Sequence, residues 1–221
     1  MPDDRRSVGG PRLAARLRLM VLTDPSPACG RSLATVVNEC LDAGATAIQL
    51  RDKHASAREL FDISSELLPG IRERGGLFIV NDRFDVALAA GADGVHLGPE
   101  DLPVHEVRMR VPPEFLIGFS ADDPESGREA AEAGADYLGV GAVFGTTSKP
   151  GLEFESIGPE RVGAVLQAAG IPGVGIGGIT AETAAEVVRV GAGVAVFGAV
   201  MHAADPAAAV ADLVRAIEIR T

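Results

Sequence analysis

The chain has 221 residues and carries 20 Lys+Arg against 31 Asp+Glu, a formal net charge of −11. That balance excludes a non-specific nucleic-acid binder, which needs a basic stripe against phosphates. A hydrophobic share of 47% beside 23% charged residues excludes a disordered chain, and no apolar run approaches the ~18 residues of a membrane span. Aromatics make up only 4%, with no Trp, so base-stacking platforms are not expected either.

Residues 1–16 are Arg-rich and lack the apolar stretch of a secretory signal, so they read as a mobile tail ahead of one domain over 17–221. Cys29 and Cys40 form no C-x-x-C pair and read as reduced thiols, which points to the cytoplasm. Short apolar runs at 17–22, 47–50, 77–80, 94–97, 115–119, 137–140, 173–176 and 194–197 predict eight strands. They are almost wholly apolar rather than alternating, as parallel strands covered by helices on both sides are. The segments between them have helical spacing. Leu33, Val36, Val37, Cys40 and Leu41 make one stripe; Val162, Val165, Leu166 and Ala169 make another; Val210, Leu213, Val214 and Ile217 make a third. Asp123-Pro124 and Asp205-Pro206 are helix starts, a capping residue followed by Pro. Gly-Ala recurs at 44, 91, 134 and 191, each time after an amphipathic stretch and before an apolar run. A Gly that closes a helix ahead of a buried strand is the usual αβ connection. One further strand–helix pair lies between successive repeats, giving about eight βα units. That count predicts an α/β fold, a single-domain (β/α)8 TIM barrel. The alternative, a doubly wound open sheet, calls for G-x-G-x-x-G after the first strand, where Thr23-Asp24-Pro25-Ser26-Pro27 stands instead.

Active sites of such barrels lie at the carboxyl ends of the strands, and polar residues gather there. Gln49, Arg51 and Lys53 alternate past the second strand, so their side chains are expected on one side, the barrel interior near its mouth. An amide and two cations there suit a diphosphate, and the alternative is an inter-strand ion pair with Asp82 or Asp101. Asn81 and Asp82 end the third strand, and Asp101 follows the fourth. Two carboxylates among cations suit Mg²⁺, completed by water and phosphate oxygens; helix and loop caps are the alternatives. Ser120 ends the fifth strand, and Thr146, Ser148 and Lys149 follow the sixth. Lys53 and Lys149 are the only lysines in a chain with 18 Arg, and both fall at strand ends. Gly177-Gly178 and Gly198-Ala199 follow the seventh and eighth strands, where backbone N–H groups of this fold often hold a phosphate. Two anion sites, a metal pair and no evident general base point to group transfer with diphosphate leaving. His96 and His105 receive no role.

Taken together, Gln49-Leu-Arg51-Asp-Lys53, Asn81-Asp82-Arg83, Gly94-Val-His96-Leu-Gly98-Pro-Glu-Asp101, Gly118-Phe-Ser120-Ala, Ala135-Asp-Tyr137-Leu-Gly-Val-Gly141, Gly145-Thr-Thr-Ser-Lys149-Pro-Gly and Gly175-Ile-Gly-Gly-Ile-Thr180 resemble the thiamine phosphate synthase family from about Leu19 to Pro206. The resemblance implies a transferase that joins hydroxymethylpyrimidine diphosphate to a thiazole phosphate by dissociative substitution. It implies that Gln49, Arg51, Lys53, Asn81, Ser120 and Lys149 hold the pyrimidine diphosphate and that Asp82 and Asp101 hold Mg²⁺. It also implies that Thr146, Ser148, Gly177, Gly178, Phe197 and Gly198 hold the thiazole phosphate, with Arg51, Lys53, Ser120 and Lys149 nearest the chemistry. The implied partners are small-molecule substrates, with no nucleic acid and no membrane, and a homo-oligomer is compatible with the chain.

Three positions depart from the family pattern: Gly198 for Ser, Gly145 for Pro and Asp122 for His. A related thiazole tautomerase is expected to have His at 122 and to lack the acid at 82, so Asp122 and Asp82 speak against that reading. A non-catalytic phosphate sensor would need no metal-assisted leaving group. An isomerase or aldolase would need a Glu base or a Schiff-base Lys inside the barrel.

Overall fold

The computed structural model describes residues 10–25, 27, 30–145 and 156–218. Eight parallel strands close on themselves in sequence order: β1 (Leu19–Leu22), β2 (Ala47–Leu50), β3 (Leu77–Asn81), β4 (Gly94–Leu97), β5 (Leu116–Ser120), β6 (Tyr137–Val140), β7 (Gly173–Ile176) and β8 (Gly193–Val196). β8 pairs back onto β1, with Met20 opposite Ala195. The outer ring consists of α2 (Leu33–Asp42), α3 (Ala57–Glu73), α4 (Phe84–Ala90), α5 (Val104–Arg108), α6 (Pro124–Glu132), α7 (Gly158–Ala169), α8 (Ala184–Arg189) and α10 (Pro206–Glu218), with a short α9 (Gly198–Met201) just after β8. The (β/α)8 barrel is therefore as the sequence predicts, and the strand limits agree to within two residues.

Side chains alternate along each strand. One set, including Leu19, Val21, Ile48, Leu50, Phe78 and Val80, packs outward against the helices. The other set, including Met20, Leu22, Ala47, Leu77, Ile79, Tyr137, Val174 and Ala195, fills the barrel. The foot of the barrel corrects the tail expected at 1–16. Residues 10–16 of it form helix α1 (Gly10–Arg16), because Leu13 and Leu17, one turn apart, both bury themselves in the interior cluster. Residues 1–9 lie outside the described residues.

The Gly-Ala repeats have a structural purpose. Gly91, the C-cap of α4, has φ +74, and the Gly of the other three repeats also have positive φ. The next residue turns inward to the sheet: Thr46 Oγ1 accepts from Leu19 N at 3.0 Å, Asp93 Oδ2 from Phe78 N at 2.8 Å and Asp136 Oδ2 from Ile117 N at 2.8 Å. The residue two after the Gly thus ties β2 to the start of β1, β4 to that of β3 and β6 to that of β5. Asp93→Ala should cost about 1.5–3 kcal/mol, the range for a hydrogen bond to a charged group. A urea midpoint unchanged from wild type would contradict this role.

Candidate active site

The strand ends set the mouth. Thr23, buried just past β1, accepts from Arg51 N through Oγ1 at 3.1 Å, and its own N–H donates to Gln49 O at 2.9 Å. Arg51 is half-buried, and Lys53 is exposed. Gln49 is buried inside the barrel, where Nε2 donates to Met20 Sδ at 3.6 Å. β2 ends at Leu50, so Gln49 lies within the strand while Arg51 and Lys53 follow it.

Asp82 is the only described non-glycine residue with positive φ, at +62. Its N–H donates to His96 O at 2.8 Å, and the following Arg83 N–H turns back to Asn81 O at 2.7 Å. Such a backbone costs about 1–3 kcal/mol and gathers at functional sites. The helix-cap alternative fails for Asp82. Arg83 is the N-cap of α4, no side chain caps it, and Arg83 pairs instead with Asp85 at 2.6 Å. The loop-cap alternative is half true for Asp101, whose Oδ2 accepts from Gly98 N at 2.6 Å.

Burial pushes the Asp82 carboxyl up to about 6; the Asp101 charge and hydrogen bond add to the rise, and Lys53 and Arg51 oppose it. The four charged groups therefore share one neighbourhood. Among the described residues, no ion pair within 4.0 Å joins Arg51 or Lys53 to either acid, so the inter-strand salt-bridge alternative is not realised. Two like charges held together and left without a bonded cation are a site for an added cation. Among the described residues there is no cage of three or more His, Cys, Asp or Glu side chains. Two acids suit an ion that keeps several waters and takes phosphate oxygens.

Ser120, exposed at the end of β5, meets His96 Nε2 at 3.0 Å. Asn81 is half-buried at the end of β3. Across the mouth, Gly177 and Gly178 have φ +102 and +65. A Cβ on Gly178 would stand 2.7 Å from the carbonyl oxygens of both Phe144 and Gly145, so only Gly lets this loop lie against the end of β6. Phe197 is the N-cap of α9, and Gly198 opens that helix, at the place where this fold frequently carries a short extra helix. Thr146, Ser148 and Lys149 lie outside the described residues.

Comparison with known proteins decides the family. A family model described as thiamine monophosphate synthase matches residues 19–200. The thiamine-phosphate synthase of Natronomonas pharaonis is 46% identical over 200 residues, covering 90% of this chain and 94% of that protein. The thiamine-phosphate synthase of Moorella thermoacetica is 49% identical over 181 residues, covering 81% and 86%. A solved thiamine phosphate pyrophosphorylase from Pyrococcus furiosus superposes with a TM-score of 0.84 at 42% identity, covering 94% of this chain and 98% of that one. The chain belongs to the thiamine-phosphate synthase family. It is an enzyme, a transferase of thiamine biosynthesis, and this family uses a divalent metal. No described helix is long and apolar enough to cross a membrane.

Two departures from the thiamine-phosphate synthase pattern have visible consequences. Gly145 has φ +79, which a proline ring cannot reach. Gly198 leaves room for His202, whose Nδ1 lies 3.2 Å from where a Cβ would stand. That imidazole packs edge-on against Phe197 with centroids 5.3 Å apart, and its Nε2 is 3.6 Å from Asp24 Oδ2. The third, Asp122, is exposed, and its carbonyl accepts from Arg161 Nε at 2.9 Å. Sequence reasoning missed His202, and it gave His96 and Tyr137 no role. Mid-strand Gly118 and Gly139 were the available signal for the last two: a Cβ there would stand 2.5 and 2.9 Å from the His96 ring. His105, also given no role, is exposed beside Glu106.

Proposed function

We propose that this chain condenses 4-amino-5-hydroxymethyl-2-methylpyrimidine diphosphate with 4-methyl-5-(2-phosphoethyl)thiazole in the cytoplasm, giving thiamine phosphate and diphosphate. One observation carries the reading: Arg51, Lys53, Asp82 and Asp101 share one strand-end neighbourhood, and among the described residues neither cation is ion-paired to either acid, which supports their use by a ligand. Arg51 and Lys53, joined by Lys149, hold the diphosphate oxygens. Gln49, Asn81 and Ser120 orient the pyrimidine. The bond from the pyrimidine methylene carbon to the diphosphate oxygen breaks first, and its electron pair leaves with the diphosphate. The aminopyrimidine ring stabilises the methylene cation, and the thiazole nitrogen lone pair then forms the new C–N bond. No side-chain base is required, because no proton is removed in either step. Backbone N–H groups at Gly178 and Gly198 anchor the thiazole phosphate, and Phe197, Gly177, Thr146 and Ser148 are assigned to its binding with them. Asp82 and Asp101 are the residues to hold Mg²⁺, which when bound neutralises part of the diphosphate charge.

The test is an assay of both products with both substrates and Mg²⁺ present. Equal release of diphosphate and thiamine phosphate is expected, and diphosphate release without thiamine phosphate would contradict the reading. The Mg²⁺ concentration needed for half-maximal rate should rise as pH falls through about 6, where Asp82 takes up a proton and withdraws as a ligand. A half-maximal concentration that is flat across that range would argue against Asp82 as a ligand.

A further inference from the structure

The loop that carries Arg51 and Lys53 takes its shape from the neighbouring strand. β1 and β2 run in parallel register, with Met20, Val21 and Leu22 opposite Ala47, Ile48 and Gln49. One step further Thr23 stands opposite Leu50, and its N–H donates to Gln49 O at 2.9 Å, as a parallel ladder requires. The next bond of that ladder would run from Arg51 N to the Thr23 carbonyl. Arg51 N donates instead to Thr23 Oγ1, at 3.1 Å. A side-chain oxygen takes the place of the backbone acceptor just where β2 stops.

Thr23 is fully buried, so it reaches the mouth only through what it holds. Its two bonds grip residues 49 and 51 on either side of Leu50. The far end of the same loop is held from within: Asp52 Oδ1 accepts from His54 N at 2.9 Å and from Ala55 N at 3.1 Å, and Ser56 then caps α3. Arg51 and Lys53 therefore stand on a loop tied at both ends, and Thr23 supplies the tie to β1. Valine matches threonine closely in shape, so what it would lack at position 23 is the lone pair that meets Arg51 N–H.

We propose that Thr23 is a positioning residue for the cations of the mouth: its hydroxyl takes Arg51 out of the strand ladder and fixes the direction from which the Arg51 side chain enters the site. Without that acceptor, Arg51 N–H either moves to the Thr23 carbonyl, which lengthens β2 and redirects the guanidinium, or loses its partner and frees the loop. In both cases Arg51 is no longer set in advance, and part of its interaction with the anion goes into ordering it. That the anion is a diphosphate group rests on the function proposed above; the hold on Arg51 does not.

Thr23→Val keeps the shape and removes the acceptor. Calorimetric titration with inorganic diphosphate and Mg²⁺ is expected to show binding weaker than wild type by about five- to tenfold, the effect of one neutral hydrogen bond. The same factor should be lost in kcat/KM for the pyrimidine diphosphate, with the KM for thiazole phosphate within about twofold of wild type. Thr23→Ser returns the hydroxyl without the methyl group and should restore both quantities to within about twofold. A residue that served packing alone would not be rescued by Ser. In an Arg51→Ala chain, Thr23→Val should cost nothing further in diphosphate affinity, because both changes act on the same contact. A fully additive loss, or equal losses toward the two substrates, would overturn the proposal. Hydrogen exchange on the wild-type chain tests the hold with no substitution: the Arg51 amide should exchange far more slowly than an open surface amide, and exchange at the open-chain rate would overturn the proposal. A wild-type chain that shows the protected amide and the Ser rescue of diphosphate binding, yet forms no thiamine phosphate, would sink the function and leave the positioning role standing.

Discussion

Asp82→Asn should make the metal-free protein more stable at neutral pH while nearly abolishing its activity. The folded-state pKa of Asp82, about 6, lies above its ordinary 3.8, because the carboxyl is half-buried beside Asp101. A raised acid favours folding fully below 3.8, and that contribution is lost as pH rises through 6. At neutral pH the ionised Asp82 therefore works against the fold. Asn is neutral at every pH, has nearly the same shape and tolerates the left-handed backbone at φ +62. The gain is about 1–2 kcal/mol after allowance for solvent screening at a half-exposed group. In a chain of this size that is about 2–8 °C in Tm. The same change removes one of the two proposed metal ligands and should lower kcat/KM by about 10²–10³, the cost of losing one electrostatic stabiliser. Calorimetry in a chelator gives the first number, and the product assay gives the second. A lower Tm for the variant, or a Tm that still rises with Mg²⁺ as in wild type, would contradict the assignment.

Arg51→Ala should separate the two anion sites. Arg51 lies among the mouth charges at the end of β2, and its backbone N–H is fixed by Thr23. It is the half-buried member of the cationic pair, so its guanidinium works at a lower effective dielectric than exposed Lys53. Removing it should lower kcat/KM for the pyrimidine diphosphate by about 10²–10³, the range for a charge that acts on the departing group. The affinity for thiazole phosphate, which the proposal assigns to the loops after β7 and β8, should stay within about twofold, as expected for distant independent sites. Steady-state kinetics with each substrate varied in turn reads both. Equal losses toward the two substrates would mean that one anion site serves for both.

What the sequence disclosed, and what it hid, follows the range of the interactions. The barrel was legible because its signals are local: the Gly-Ala pairs that end helices, the apolar runs between them, and caps such as Asp123, whose Oδ1 accepts from Glu125 N at 2.8 Å. The charged rim was legible because strand ends carry it, and the order of strands around the barrel is the order of the sequence. Helix α1 was overlooked although Leu13 and Leu17 stand one turn apart, since two apolar positions among arginines make too short a stripe to stand out. The internal chain from Ser120 through His96 to Tyr137 was hidden because its contacts join residues 24 and 41 positions apart. Inward glycines at 118 and 139 mark such a place only once the register around the barrel is known.

The central claim is that the rim charges hold a departing diphosphate together with a metal ion. Titration of inorganic diphosphate into the wild-type chain by calorimetry, with and without Mg²⁺, tests it most directly. The account predicts that Mg²⁺ strengthens diphosphate binding by at least about tenfold, and that Arg51→Ala and Asp82→Asn each remove most of that gain. Diphosphate binding that is indifferent to Mg²⁺ and unchanged in both variants would contradict it.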